Sequence, residues 1–198
     1  MAASQRVGRR MGLENSSSRT ALMDGVEAVM REDGYAALTA RSVAERAGLK
    51  HQLVYYYFQT MDDLLMATYQ RHIGRVRERT EAAFRATRPL HAFWEVCSNP
   101  HDSRLNMEFM AMANHNEAIR AETIAFGEEI RKVGLEQVAV QIEAAPIGRE
   151  MFSAFALTQS IAAIGSTVGI EAALGIQGGH DETRKMVEWW LNRLEPEE

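Results

Sequence analysis

Apolar residues recur at steps of three and four along nearly all of this 198-residue chain, the spacing of one buried face of an α-helix. Leu22, Val26, Val29 and Met30 form the first stripe and predict a helix from Ser18 to Asp33, with Gly34 suited to a left-handed C-terminal cap. Thr39 is a natural N-cap for a short second helix, Ala40 to Ala47, with Val43, Ala44 and Ala47 inward. Gly48 breaks it and Leu49 is the apolar residue of the turn. A third short helix covers Lys50 to Phe58, with Val54 and Phe58 on its inner face. Thr60 and Asp63 have capping-box spacing and open a long fourth helix, whose stripe Leu65, Tyr69, Ile73, Val76, Thr80 and Phe84 runs towards Pro89.

The later chain reads the same way. Helices are expected over Leu90–Ser98, Ser103–His115 and Glu117–Ala144, with breaks at Asn99-Pro100 and Pro146. A largely apolar helix follows from Ile147 to Gly165, with a continuation to Leu174. Gly175–Gly179 is a loop, and a last helix from Asp181 to Leu194 aligns Met186, Val187, Trp190 and Leu194. No sustained alternation and no Asn-Gly turn signals a strand. The expected fold class is therefore all-α, in three parts: a basic arm over residues 1–17, a three-helix helix-turn-helix head over 18–61, and a helical body over 62–198.

Composition changes this picture little: 46% hydrophobic, 25% charged and four prolines are ordinary for a soluble globular protein. The single cysteine, Cys97, excludes an internal disulfide and a cysteine-rich zinc site, and fits a cytoplasmic location. The N-terminal stretch has no continuous apolar run, so no secretory signal is expected. Residues 151–170 carry no charge, but Ser153, Thr158, Gln159, Ser160, Ser166 and Thr167 leave them only moderately apolar; a helix buried in the protein is expected, not a membrane span.

Charge does change it. Residues 1–60 hold eight Lys/Arg against six Asp/Glu, whereas residues 61–198 hold 14 against 21. Arg6, Arg9 and Arg10 form the basic arm, and Arg41, Arg46 and Lys50 face only Glu45 in the stretch 34–60. A mildly basic head on an acidic body suggests an anionic partner for the head. The stretch GLKHQLVYYYFQT, residues 48 to 60, sharpens this, because no acidic residue falls between Arg46 and Met61. Two short helices joined by a tight glycine turn are the helix-turn-helix arrangement, whose second helix enters the major groove of DNA. Gln52 suits a base edge, adenine above all, and Lys50 and His51 suit bases or phosphate. The phenols of Tyr55, Tyr56 and Tyr57 place hydroxyls on rigid stems, fit to donate to phosphate oxygens. Periodicity alone leaves a second reading open, an aromatic core helix, although three successive tyrosines cannot all point inward.

Residues 34–65, GYAALTARSVAERAGLKHQLVYYYFQTMDDLL, resemble the head of the TetR (tetracycline-repressor) family of transcriptional regulators. The resemblance rests on Gly34-Tyr35, Thr39, Val43-Ala44, Ala47-Gly48, Leu49, Tyr55-Tyr56-Tyr57-Phe58 and Leu64. It implies that Thr39 is the cap that donates to a phosphate, that Arg41 stands where some members read a base, and that His51 and Gln52 occupy the base-reading turn. It implies Tyr55 as the phosphate-contacting tyrosine and Tyr56 as a further DNA contact. Lys50, Gln52, Tyr57 and Met61 depart from the common pattern, and Met61 removes one expected phosphate contact.

The same resemblance implies a two-fold homodimer on a near-palindromic double-stranded operator, with its interface on the uncharged 151–170 helix and the helix carrying Trp189-Trp190. Gly165-x-x-x-Gly169 would allow close helix approach there. It also implies a pocket in the central helices for an unidentified, largely apolar effector. Phe93, Trp94, Met107, Phe109, Met110, Met112 and Phe126 are candidates for its lining, and Asn106, Asn114 and His115 for orienting a polar group.

Enzyme readings find no support: G-x-S-x-G, GxGxxG, GxxxxGK and E-x-x-H motifs are all absent. No cofactor or metal is expected, and His101, Asp102 and His115 lack ligand spacing. The expectation is a ligand-responsive DNA-binding regulator, commonly a repressor. The alternative is a helical binding or structural protein whose head no longer binds specific DNA.

Overall fold

The computed structural model describes residues 16–144 and 153–196. The arm ahead of Ser16, the break at Pro146 and the start of the apolar helix lie outside them. The described residues form only helices and connecting turns. The chain divides into two units after Gln70, nine residues beyond the boundary the sequence suggests and inside a continuous helix.

In the first unit, α1 (Ser17–Asp33) packs on α2 (Ala40–Arg46) and α3 (Gln52–Tyr57), and a 3-10 turn, Tyr35–Ala37, links α1 to α2. Leu22, Val26, Val29 and Met30 are buried, as are Val43, Ala44, Val54 and Phe58. Burying this set at about 25 cal/mol per Å² of apolar surface is the main force holding so short a pair as α2 and α3 in place. Gly25 permits the packing, because a Cβ there would lie 2.6 Å from the Val43 carbonyl oxygen. Gly34 takes a positive φ of 81°, but with ψ at 164° it is extended and not a left-handed helical cap.

The long helix α4 (Met61–Phe84) starts at a reciprocal capping box: the Asp63 amide donates to Thr60 Oγ1 at 3.0 Å and the Thr60 amide to Asp63 Oδ2 at 2.9 Å. In the second unit come α5 (Pro89–Cys97), α6 (Pro100–Ala113), α7 (Glu117–Ala144), α8 (Ala154–Ala173) and α9 (His180–Leu194). Helix α8 packs against α5, α6 and α7, which accounts for the absence of charge from Ala154 to Ile170; Glu171, in its last turn, pairs with His180. Among the described residues no helix is long and apolar enough to cross a membrane.

Two details of the body differ from the sequence reading. Gly165 and Gly169 face other segments of the same chain: a Cβ on Gly165 would lie 2.7 Å from Cys97 Cβ, and one on Gly169 would strike Ser103. The motif thus serves contacts of α8 with residues of the α5–α6 region. In α9 the inner face is Val187, Leu191 and Leu194, whereas Met186 is 41% exposed beside Trp189 at 51%. Steps of four and three from Val187 select that stripe, and Met186 falls about 100° away from it.

Candidate nucleic-acid interface

Helix α2 is set by its N-terminal box. The Ser42 amide donates to Thr39 Oγ1 at 3.0 Å and the Thr39 amide to Ser42 Oγ at 2.9 Å. Ser42 Oγ in turn donates to the Ala37 carbonyl at 2.8 Å. Thr39 Oγ1 therefore accepts within the cap, while its own hydrogen rests on Ser42 Oγ, 3.0 Å away. That hydrogen can be redirected to an outside acceptor without loss of the cap.

The turn between α2 and α3 is a Schellman arrangement: the Leu49 amide donates to Ala44 O at 2.8 Å and the Gly48 amide to Glu45 O at 3.1 Å. Gly48 sits at φ 66°, a conformation that a side chain disfavours. This compact turn fixes where α3 begins. The helix is shorter than the periodicity suggests, Gln52–Tyr57 in place of Lys50–Phe58, and no side chain caps it. The N-cap position falls on His51, and Lys50 before it is exposed on the turn.

Val54 at 0% and Phe58 at 4% exposure anchor the inner face. Thr39, Arg41, Lys50, His51 and Gln52 are exposed, and Tyr55 and Tyr56 are 56% and 53% exposed. These seven residues are all open to solvent, and no carboxylate falls between Arg46 and Met61. Such a surface offers hydrogen-bond donors and positive charge without repelling phosphate.

Two neighbouring residues behave differently. Tyr57 is half-buried, packs edge-on to Tyr56 at 4.9 Å, and is hydrogen-bonded to Ser16 and Ser18, which holds its phenol pKa below the ordinary value. It supports the exposed face from behind. Arg46 is paired to Asp33 at 2.9 Å and to Glu32. Its charge is largely neutralised inside the head. Sequence reasoning also missed Arg19, whose guanidinium lies 4.8 Å over the Phe58 ring; a cation spaced to meet an aromatic beyond another helix leaves no periodic trace.

In the body, the ten expected effector residues fall into separate settings; Met112 is buried on α6 and His115 is exposed just beyond it. Phe93 and Trp94 belong to the main apolar core. Asn106 and Phe109 meet at His72, a fully buried residue that sequence reading passed over: Asn106 Oδ1 lies 2.6 Å from His72 Nε2, and Phe109 stacks on the imidazole at 5.8 Å. Met107 is half-buried, Met110 is 63% exposed, and Asn114 is exposed at the end of α6. Phe126 is half-buried on α7, 5.6 Å from the guanidinium of Arg77, which also makes a two-pronged pair with Glu129 at 2.6 and 2.7 Å. That pair raises the Arg77 pKa and lowers that of Glu129. A separate open cavity of about 310 Å³ lies along α8 and the start of α9, bordered by Ile164, Val168, Glu171, His180 and Thr183; none of the ten borders it.

A three-helix head that presents a supported, carboxylate-free helix defines a helix-turn-helix protein. Residues 22–68 match the family model for bacterial regulatory proteins of the tetR family. The chain is 34% identical over 68 residues to the HTH-type transcriptional regulator BetI of Rhizobium meliloti (strain 1021), a match that spans 34% of this chain and 34% of that protein. Solved structures share the fold over most of the length. A TetR transcription regulator from Haloarcula marismortui superposes with a TM-score of 0.70 at 20% identity, covering 88% of this chain and 96% of that one. The fatty acid degradation regulator FadR from Bacillus halodurans gives 0.67 at 13% identity, covering 90% and 96%. A protein of Saccharomonospora viridis described as a transcriptional regulator, in complex with choline, gives 0.74 at 16% identity, covering 88% and 95%. The family match is confined to residues 22–68, so the head is similar to the helix-turn-helix domain of tetR-family regulators, and over the rest of the chain the solved regulators share the fold.

Proposed function

We propose that this protein binds a near-palindromic DNA operator as a two-fold dimer, represses transcription from it, and is released by a small, largely apolar effector. The observation that carries the reading is the outward face of α3 and its turn: Lys50, His51, Gln52, Tyr55 and Tyr56 exposed together, with Val54 and Phe58 locking the helix beneath them. In this reading Gln52 and His51 touch base edges, with Arg41 beside them from α2. Thr39, Lys50, Tyr55 and Tyr56 hold phosphates, and Tyr57 braces the helix.

One head of this size offers few base contacts, so two are needed for specificity. The exposed apolar residues of α8 and α9, Phe155 at 57%, Met186 and Trp189, support a dimer through that face. The effector's polar group is assigned to the His72–Asn106 pair, with Phe109 beside it. An effector that favours one arrangement of the dimer lowers DNA affinity by its difference in affinity for the two states.

The test is fluorescence anisotropy on DNA selected by the protein from a random duplex library. Specific, salt-sensitive binding that withstands competitor DNA supports the reading. Weak binding indifferent to sequence refutes it and favours the helical binding protein with an inactive head.

A further inference from the structure

We infer that the open cavity between the end of α8 and the start of α9 is a binding site for a small organic ammonium ion, a primary amine on a short branched alkyl chain. The site is separate from the effector pair at His72 and Asn106, and it does not rest on the reading of α3 as the DNA-facing helix.

The first ground is a carboxylate held at the wall of a cavity with half its acceptor capacity unused. The cavity measures about 310 Å³ and is bordered by Ile164, Val168, Glu171, Gly178, His180 and Thr183. Small-ligand clefts begin at about 300 Å³. His180 is 9% exposed, and its Nε2 lies 2.9 Å from Glu171 Oε2. An ionised carboxylate only accepts, so Nε2 carries the proton, and in the neutral imidazole Nδ1 is an acceptor. Among the described residues Nδ1 makes no hydrogen bond, nor do Glu171 Oε1 and the Thr183 hydroxyl, and no lysine or arginine pairs with Glu171.

The second ground is sign. Thr167 spends its hydroxyl on the Ala163 carbonyl at 2.9 Å, so Thr183 brings the single uncommitted side-chain donor among the described residues that border the cavity. With a neutral imidazole the Glu171–His180 pair carries one net negative charge. Asp181 and Glu182 follow in the first turn of α9. These carboxylates repel an anion, although Gly179 leaves α9 without a side-chain cap. A primary ammonium has three donors, which match in number Glu171 Oε1, His180 Nδ1 and Thr183 Oγ1. Ile164 and Val168 supply an apolar wall for its alkyl chain.

The third ground is the rim. Gly178 has no positive φ, and a Cβ there would meet nothing within 4 Å. Neither the backbone nor the packing calls for glycine at this position, and the missing side chain keeps the mouth clear.

The test uses the full chain with labelled histidine rings, isobutylammonium chloride as the probe and isobutanol as its uncharged counterpart, at constant ionic strength. His180→Gln identifies the His180 ring signal by nuclear magnetic resonance. That signal shifts saturably with isobutylammonium, and isobutanol binds at least about tenfold more weakly. Glu171→Gln, with circular dichroism unchanged, weakens the amine at least about tenfold. Gly178→Phe, which leaves Glu171 and His180 in place and obstructs the mouth, weakens it as much. A His180 signal indifferent to isobutylammonium overturns the inference. Equal binding of isobutanol overturns it too, because the cavity is then an apolar cleft only. A response that both Glu171→Gln and Gly178→Phe leave unchanged places the amine elsewhere. If sedimentation finds a dimer whose His180 signal responds only after dissociation, a second copy covers the cavity and the small-ligand assignment fails.

Discussion

Replacing Glu195 by alanine removes three hydrogen bonds from the joint between α9 and α5. Its Oε1 accepts from the Leu90 amide at 2.7 Å, and its Oε2 from the His91 amide at 3.2 Å and from His91 Nδ1 at 2.8 Å. The residue is 7% exposed, and α5 has no side-chain cap from its own N-cap residue, Arg88. Glu195 thus caps α5 from the far end of the chain. A hydrogen bond to a buried charge contributes about 1.5–3 kcal/mol and a helix N-cap about 0.5–2 kcal/mol. The three bonds share one desolvated carboxylate, so they do not add in full; a loss of about 2–4 kcal/mol is expected. Urea unfolding reads it, by far-UV circular dichroism and by tryptophan fluorescence, since Trp94 is buried in α5 itself. Glu195→Gln keeps one oxygen acceptor and loses the charge, and should fall between wild type and alanine. A loss under about 0.5 kcal/mol for alanine would refute the capping role.

Gly25→Ala should destabilise the head by about 1–3 kcal/mol and abolish DNA binding at about 37 °C, because the new Cβ meets a backbone carbonyl at 2.6 Å; thermal melts with and without DNA check this. Cys97 should resist alkylation in the native protein. Burial pushes its thiol up to about 12, so at about pH 8 only about one molecule in ten thousand carries the thiolate; mass spectrometry after iodoacetamide should show label only once the protein is unfolded. Arg77→Gln should cost less than about 1 kcal/mol and nothing measurable in about 1 M salt, because the pair with Glu129 is 37% and 44% exposed. Tyr55→Phe should weaken all DNA sites alike without altering their ranking, since a phosphate contact carries no sequence information.

Features built from neighbours along the chain are legible in the residues themselves. The stripe Leu22, Val26, Val29 and Met30, the caps at Thr39 and Thr60, and the glycine turn at Gly48 all use steps of five residues or fewer. Features that join distant segments are not. Glu195 meets Leu90 across 105 positions and His72 meets Asn106 across 34, and neither pairing leaves a period to read. The GxxxG spacing in α8 is visible, but the spacing alone does not say which helix approaches. Tyr57 illustrates the same limit within the head. Three tyrosines in a row require that the ring directions differ, and only the positions of Ser16 and Ser18 show where the third hydroxyl goes.

The central claim is that the face of α3 reads DNA, and Gln52 tests it most directly because it stands exposed at the first position of the helix. Selection of binding sites from a random duplex library by wild type and by Gln52→Ala measures the effect base by base. If α3 reads DNA, preference relaxes at one position in each half-site, by about 1–3 kcal/mol, with the other positions and the salt slope unchanged. An unchanged preference at every position would contradict it.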